Sequence, residues 1–407
     1  MKKTHNRWVY LIIGAIVMFF AGIIYSWSVI SGFMVGNNGW TDSQLVWVST
    51  IVLICFCLAG FFGGLMQKKM NVKIILGIAA VLFVLGFLIT AKASSVILVY
   101  VGFGLFAGVA AGFVYNVVMS IVTKWFPDKQ GMASGIMLMT FGIGSFIVGK
   151  AYTAIVTNGM SWQTTIIGIG IIGAVVIAIG AIIFVNPSAE ESAKLMQGAT
   201  KKNRESYEDL TASQMLKKSS FWMMFIWSTL TVGSGVAVIF LGRPIAIEAV
   251  PSLADAPGTV ATAVGLISIC NAVSRIISGS LFDKIGYKII FVSCSVLFIA
   301  SMVCLMLAIA TGSIVLLFAA FILTGLGYGV VPPSQSAFTN KFYGSTHYPV
   351  NFSIVIMNLI LSSFFSKIAD AVFNSTESYT PVLIGVIVIC AISIVAALLI
   401  RTPKVKR

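Results

Sequence analysis

Arg275 stands in a run that is otherwise apolar or small, and its guanidinium carries the richest chemistry in this sequence. Ser268, Asn271, Arg275 and Ser278 follow one another at spacings of three, four and three, which on a helix makes a single polar stripe. A fixed guanidinium offers paired donors that match a carboxylate. One cation balances one negative charge, so the stripe suits a small anion, with Asn271 placed to orient it.

The elements that must hold this stripe follow from composition. The chain has 407 residues, of which 58% are hydrophobic and 9% charged, and its mean hydropathy is +1.02; an average soluble domain is about 25% charged. A soluble globular protein is excluded. A β-barrel would need alternating segments of about ten residues, whereas runs such as 166–185 and 382–400 are continuously apolar. The expectation is therefore an all-α membrane protein. Apolar runs predict twelve transmembrane helices near 8–30, 44–66, 74–91, 96–123, 132–156 and 163–185, then 221–247, 259–282, 289–310, 314–338, 350–373 and 381–400. Residues 1–185 and 221–407 form two six-helix halves, joined by a charged cytoplasmic linker at 186–220. The basic N-terminal tail before an apolar stretch has the look of a signal peptide, but the stretch is long and no small-residue cleavage site closes it, so a retained first helix is expected.

Charge sets the orientation. The two tails, the linker and alternate loops hold 21 of the 26 Lys and Arg residues, and cytoplasmic loops retain positive charge. Both termini and the linker are thus expected in the cytoplasm of a bacterial-type plasma membrane. The net charge of +14 is this topological bias and calls for no nucleic-acid partner. Cysteines 55, 57, 270, 294, 304 and 390 all lie in apolar runs without nearby histidine, so they read as inert thiols and no metal site is expected.

Depth gathers further polar groups around Arg275. It precedes Asp283, the expected inner end of its helix, by eight residues, or about 12 Å of a roughly 30 Å core. The same rise puts Tyr115 about 13 Å, Asn358 about 14 Å and Tyr328 about 18 Å from the inner ends of the fourth, eleventh and tenth helices. Asn358, Ser362, Ser366 and Asp370 continue as a second stripe, while Tyr25 and Ser28 lie nearer the outer entrance. Both stripes must face the bundle interior or water, because lipid does not satisfy polar groups. No acidic residue falls at the depth of Arg275, so a bound anion explains it better than a structural ion pair.

Other candidates have plainer readings. Lys92, Lys150, Arg243, Glu248, Lys367 and Asp370 sit near the outer ends of their helices, where long side chains snorkel, and Lys367 and Asp370 are spaced as a local pair. A G-x-G-x-x-G at Gly168, Gly170 and Gly173 lies inside a helix, where it cannot cradle a pyrophosphate. Glycines 102, 104, 108 and 112, with 135, 142, 144 and 149, read as sites of close helix contact. His5 and His347 lie in a tail and a loop. With no carboxylate or histidine to relay protons at mid-depth, anion exchange, or entry of a proton together with a carboxylate, is the expected coupling.

A faint internal repeat connects the halves. Gly279, Asp283, Lys284 and Gly286 follow the eighth helix, and Gly63-Gly64-Leu65-Met66-Gln67-Lys68-Lys69-Met70 occupies the equivalent loop after the second. Two six-helix halves with a signature in corresponding loops resemble the major facilitator superfamily. More specifically, Arg7-Trp8, Gly14, Gly22 and Tyr25-Ser26-Trp27-Ser28-Val29 resemble the opening of the oxalate/formate antiporter family. So do Gly112-Phe113-Val114-Tyr115, the run Lys124-Trp125-Phe126-Pro127-Asp128-Lys129 continuing to Gly135, Asn271-Ala272-Val273-Ser274-Arg275, Phe342-Tyr343-Gly344 and Asn351-Phe352-Ser353.

The resemblance implies alternating-access transport of small carboxylates by rocking of the two halves, with Arg275 holding the carboxylate. Oxalate carriers of that family also look to a lysine on the eleventh helix, where this chain reads Met357-Asn358-Leu359. The departure favours a monocarboxylate such as formate, lactate or pyruvate. The expected substrate site is Arg275, Asn271, Tyr115, Tyr328, Asn358 and Tyr25, in a monomer surrounded by lipid, with no enzymatic activity and no cofactor. Two alternatives stay open: an oxalate-type dicarboxylate/formate antiporter that draws a second cation from Arg243 or Lys150, and a non-transporting carboxylate sensor, for which the short linker offers no output domain.

Overall fold

The computed structural model describes residues 6–35, 39–67, 69–126, 130–188, 190–191, 195, 208–344 and 347–402; the side chains of 130–132, 134, 279, 280, 283, 284, 348 and 349 lie outside the description. Every regular element among these residues is helical, and twelve helices are long and apolar enough to cross a membrane. They are α1 (Arg7–Ser31), α2 (Asp42–Met66), α3 (Val72–Ala91), α4 (Val96–Trp125), α5 (Gln130–Thr157), α6 (Trp162–Ile183), α7 (Ser219–Phe240), α8 (Pro257–Ile285), α9 (Tyr287–Thr311), α10 (Ile314–Tyr343), α11 (Val350–Thr376) and α12 (Thr380–Leu399). The chain divides into two compact units, residues 1–202 and 203–407.

Local chemistry sets the helix ends. Thr41 and Gln44 form a reciprocal capping box at α2, and Asn71, Ser161 and Ser313 accept the first free amides of α3, α6 and α10. Gly286 closes α8 with φ +83°, a conformation that disfavours any residue with a β-carbon. This accounts for the last residue of the Gly279–Gly286 signature. The side chains of Asp283 and Lys284 lie outside the described residues.

In the first unit, α1 and α5 approach until their backbones touch. A β-carbon on Gly22 would run into the Phe141 carbonyl, and one on Gly144 into that of Phe19. On α4, Gly108 and Gly112 lie against the Val52 and Phe56 carbonyls of α2. Gly170 and Gly173 of α6 receive the rings of Phe87 and Phe83, so the G-x-G-x-x-G run is helix packing.

The second unit repeats the α2–α4 contact with different residues. Gly325 and Gly329 of α10 lie against the Ile267 and Asn271 carbonyls of α8, and Ser274 Oγ donates to the Leu326 carbonyl at 2.6 Å. In each unit an i, i+4 pair of glycines meets an i, i+4 pair of carbonyls. Elsewhere the helices turn apolar side chains outward: Ile172, Val175 and Ile182 on α6, and Val388, Ile392 and Val395 on α12, are exposed. In water such rows would favour aggregation; against lipid tails they cost nothing.

Five helices depart from the expected pattern, which a period count did not anticipate. α1 tightens to a 3-10 turn at Gly22–Ser26, and α4 widens to a π stretch at Tyr100–Ala107. The helix expected at 221–247 stops at Phe240, and a separate helix runs over Gly242–Ala249. Pro244 has no N–H to offer the Phe240 carbonyl, which explains the stop. α10 runs past its expected end at 338 to Tyr343 and carries Pro332 and Pro333. α11 comes in three pieces, Tyr348–Val355, Asn358–Ser362 and Phe364–Thr376.

Candidate functional site

α8 brings Arg275 into the interior, 6% exposed. Its Nε donates to Asn271 Oδ1 at 3.0 Å, one turn earlier on the same helix, and this bond fixes the plane of the guanidinium. Asn271 is itself buried, and its carbonyl is the one that Gly329 abuts. The depth of the cation is therefore tied to the α8–α10 packing. A bulkier residue at 329 would displace Arg275 along with its helix.

Tyr328 is the neighbour of Gly329, buried, with its ring against Gly235 of α7 beside Phe298 of α9. Pro332 and Pro333 cannot supply the usual i+4 donors to the Tyr328 and Gly329 carbonyls, so the α10 ladder is interrupted at this level. Asn358 opens the middle piece of α11. It is 1% exposed, and neither its Oδ1 nor its Nδ2 has a protein partner. Buried amides are almost always bonded, and one that is not points to a ligand or ordered water. α11 is held beside α7 by Ser362 Oγ, which donates to the Thr229 carbonyl at 2.9 Å.

In the first unit, Tyr25 and Tyr115 are brought together around one ring. Phe141 of α5 packs edge-on to Tyr25 at 5.7 Å and to Tyr115 at 5.5 Å, and Phe56 of α2 packs against Tyr115 at 5.2 Å. Tyr25 lies in the 3-10 turn of α1 and is buried; Tyr115 is half-buried. The second unit holds Arg275, Asn271, Tyr328 and Asn358.

Three of the other ionisable residues have local work. Lys367 and Asp370 form an ion pair at 2.6 Å, as their spacing predicts. Both Glu248 carboxylate oxygens accept the Tyr379 N–H, at 3.0 and 2.9 Å, and Oε1 also accepts the Ser378 hydroxyl, so Glu248 anchors the start of α12. Arg243 belongs to the short helix after α7, Lys150 is half-buried on α5, and Lys92 is exposed at the end of α3. Among the described residues no cluster of three or more His, Cys, Asp or Glu could hold a metal.

Two buried polar residues beyond Tyr328 escaped the sequence reading. Ser334 and Gln335 of α10 are buried, and the Ser334 Oγ and Gln335 Nε2 have no protein partner. Gln335 lies seven residues after Tyr328, hence on the same helix face. That spacing was readable, but the proline pair between them obscured it.

A model of the Major Facilitator Superfamily matches residues 11–366 and, in a second match, 234–407. The chain belongs to the major facilitator superfamily. It is a multi-pass membrane protein of that transporter superfamily, whose members are generally not enzymes. An uncharacterized MFS-type transporter of Escherichia coli (strain K12) is 25% identical over 88% of this chain and 86% of its own. The oxalate:formate antiporter of Oxalobacter formigenes is 26% identical over 84% of this chain and 80% of its own. Monocarboxylate transporter 12 of Mus musculus is 23% identical over 31% of this chain and 26% of its own. Among solved structures, the xylose transporter of E. coli, in a partially occluded inward open conformation, overlays with a TM-score of 0.71 at 13% identity, covering 96% of this chain and 97% of that one. That likeness is one of fold.

Several residues that carry the resemblance to the oxalate/formate antiporter family fasten helix ends. Trp125 stacks on Tyr10 at 4.7 Å and its Nε1 donates to the Val185 carbonyl at 2.9 Å, while the Arg7 guanidinium lies over the Phe126 ring at 4.9 Å. Pro127, Asp128 and Lys129 fall outside the described residues. In the second unit, Leu210 N–H donates to the Tyr343 carbonyl at 2.9 Å, Asn351 Nδ2 donates to the Leu210 carbonyl at 2.8 Å, and Asp209 seats on Gly344.

Proposed function

We propose that this protein is a secondary transporter of small monocarboxylate anions of the formate, lactate or pyruvate type, working by alternating access in a plasma membrane. The observation that carries the reading is Arg275: a buried guanidinium on a membrane-crossing helix, fixed through Nε by Asn271. A single oriented cation suits a single carboxylate. Asn358 supports a small polar substrate with its unpartnered amide, and Tyr328 supplies a phenol near the same level of the second half. Tyr25 and Tyr115 are proposed as the substrate-contacting residues of the first half. Coupling is by exchange or by entry of a proton with the carboxylate, and the functional unit is a monomer with both termini cytoplasmic.

The similarity to an oxalate:formate antiporter over most of both chains favours one second reading, a dicarboxylate/formate exchanger. Uptake of labelled lactate, pyruvate, formate and oxalate into proteoliposomes separates the two, with and without internal substrate and a pH gradient. The monocarboxylate reading expects uptake of at least one monocarboxylate, weak competition by oxalate or malonate, and loss of uptake in Arg275→Ala. Saturable oxalate uptake in exchange for formate would replace it with the second reading.

A further inference from the structure

We propose a second anion station, formed by Ser278 and Gln335, one step along α8 and α10 from the site at Arg275. The inference rests on the carboxylate reading above. Its first support is a register: Gly325 against Ile267 and Gly329 against Asn271 show that α8 and α10 run in parallel with a constant offset. Tyr328 and Asn271 therefore share one level. Carried seven residues further on both helices, the same offset sets Gln335 level with Ser278, about 10 Å nearer the C-terminal ends. A displacement of seven keeps each residue on the face of its predecessor.

The second support is that both side chains are buried without partners. Ser278 and Gln335 are each 3% exposed, and Ser278 Oγ and Gln335 Nε2 have no hydrogen-bond partner in the protein. Ser334 Oγ, beside Gln335, is likewise unpartnered, whereas several other buried hydroxyls of this unit bond within their own helix. Thr231, Ser234, Ser295 and Thr339 each donate to the carbonyl four residues back, and Ser366 to the one three back. A buried polar group left unmatched is costly, so unmatched groups gathered at one level on adjoining helices need a common explanation. Both can donate, which suits an anion, and neither is charged, which suits a station that holds it briefly. A carboxylate leaving Arg275 toward the C-terminal ends of α8 and α10 would exchange the guanidinium for these neutral donors.

The test compares Ser278→Ala, Gln335→Leu and the double variant with wild type, Gln335→Asn and Arg275→Ala. Each purified protein is assayed for equilibrium binding of labelled formate and lactate, for exchange rate in proteoliposomes, and for melting temperature. The double variant is expected to keep its affinity within about threefold and its melting temperature at or above wild type, since unmatched groups are removed, while exchange slows about tenfold. Gln335→Asn recovers part of the rate. Unchanged exchange in the double variant overturns the station, as does an affinity loss that matches Arg275→Ala, which would merge these residues into the first site. Slower exchange with a lowered melting temperature and no recovery by Asn also overturns it. If wild type binds neither anion, the function reading fails and takes the station with it; if wild type binds both through Arg275, only the station is at stake.

Discussion

At the scale of single residues, the second unit offers, among the described residues, one buried cation and a set of neutral groups, and their contributions separate by charge. Truncating a group that holds a buried charge costs about 2 to 5 kcal/mol, so Arg275→Ala is expected to lower carboxylate affinity about thirtyfold or more in a binding assay. Arg275→Lys keeps the charge and loses the fork that Asn271 orients; an affinity at least about tenfold below wild type marks paired donation, and wild-type affinity would mean that a point charge is enough. Asn358→Leu separates binding from stability. It removes an amide that has no protein partner, so the melting temperature is expected to hold or rise while affinity falls, and a fall in both would make Asn358 a structural residue. The residues of this set were legible because ionisable and amide side chains are rare in these spans and helical spacing aligns them. Gln335 and Ser334 were not, because they follow two prolines in a helix expected to end soon after.

At the scale of elements, the site depends on backbones in contact. Gly329 lies against the carbonyl of Asn271, and a β-carbon there also meets the Ser274 Cβ, so Gly329→Val must push α8 from α10 or twist one of them. Overpacking of this kind costs about 1 to 3 kcal/mol, and it moves the residue that holds Arg275. The expected outcome is a lower melting temperature together with weaker carboxylate binding, whereas Gly168→Ala, where a β-carbon meets open space, leaves both unchanged. Several contact glycines of the first unit were visible as small residues at helical intervals, whereas Gly325 and Gly329 were not singled out and Gly135 meets open space; the partners were not visible, because a glycine does not declare which carbonyl it approaches. The breaks at Leu241 and in α11 were missed for a related reason: hydropathy reports what lies in the span, and broken helices remain apolar. Pro244 was the one local signal for the first break. The three pieces of α11 have no proline between them, so their breaks depend on tertiary contacts such as Ser362 to Thr229.

At the scale of the whole molecule, the twelve spans were legible because burying about twenty apolar residues per helix leaves few other arrangements. The finer fastening was not. Residues 208–210 are held by Tyr343, Gly344 and Asn351, which ties the end of the charged linker to the end of α10 and the start of α11. Lys218 and Glu208 add an ion pair at 2.8 Å, part-exposed and hence weak. Because Gly344 has φ +83° and Asp209 occupies the place of its missing β-carbon, Gly344→Ala is strained in its backbone and blocked in its contact. The strap formed by residues 208–216 is then expected to detach while the spans stay folded. Limited proteolysis should show faster cleavage within 208–218 in Gly344→Ala, and a smaller increase in Asn351→Ala, where one hydrogen bond is lost. Added to one side of the membrane at a time, the protease also reads topology: cleavage only from the cytoplasmic side agrees with the positive charge of the linker, and cleavage only from the outside would invert the proposed orientation.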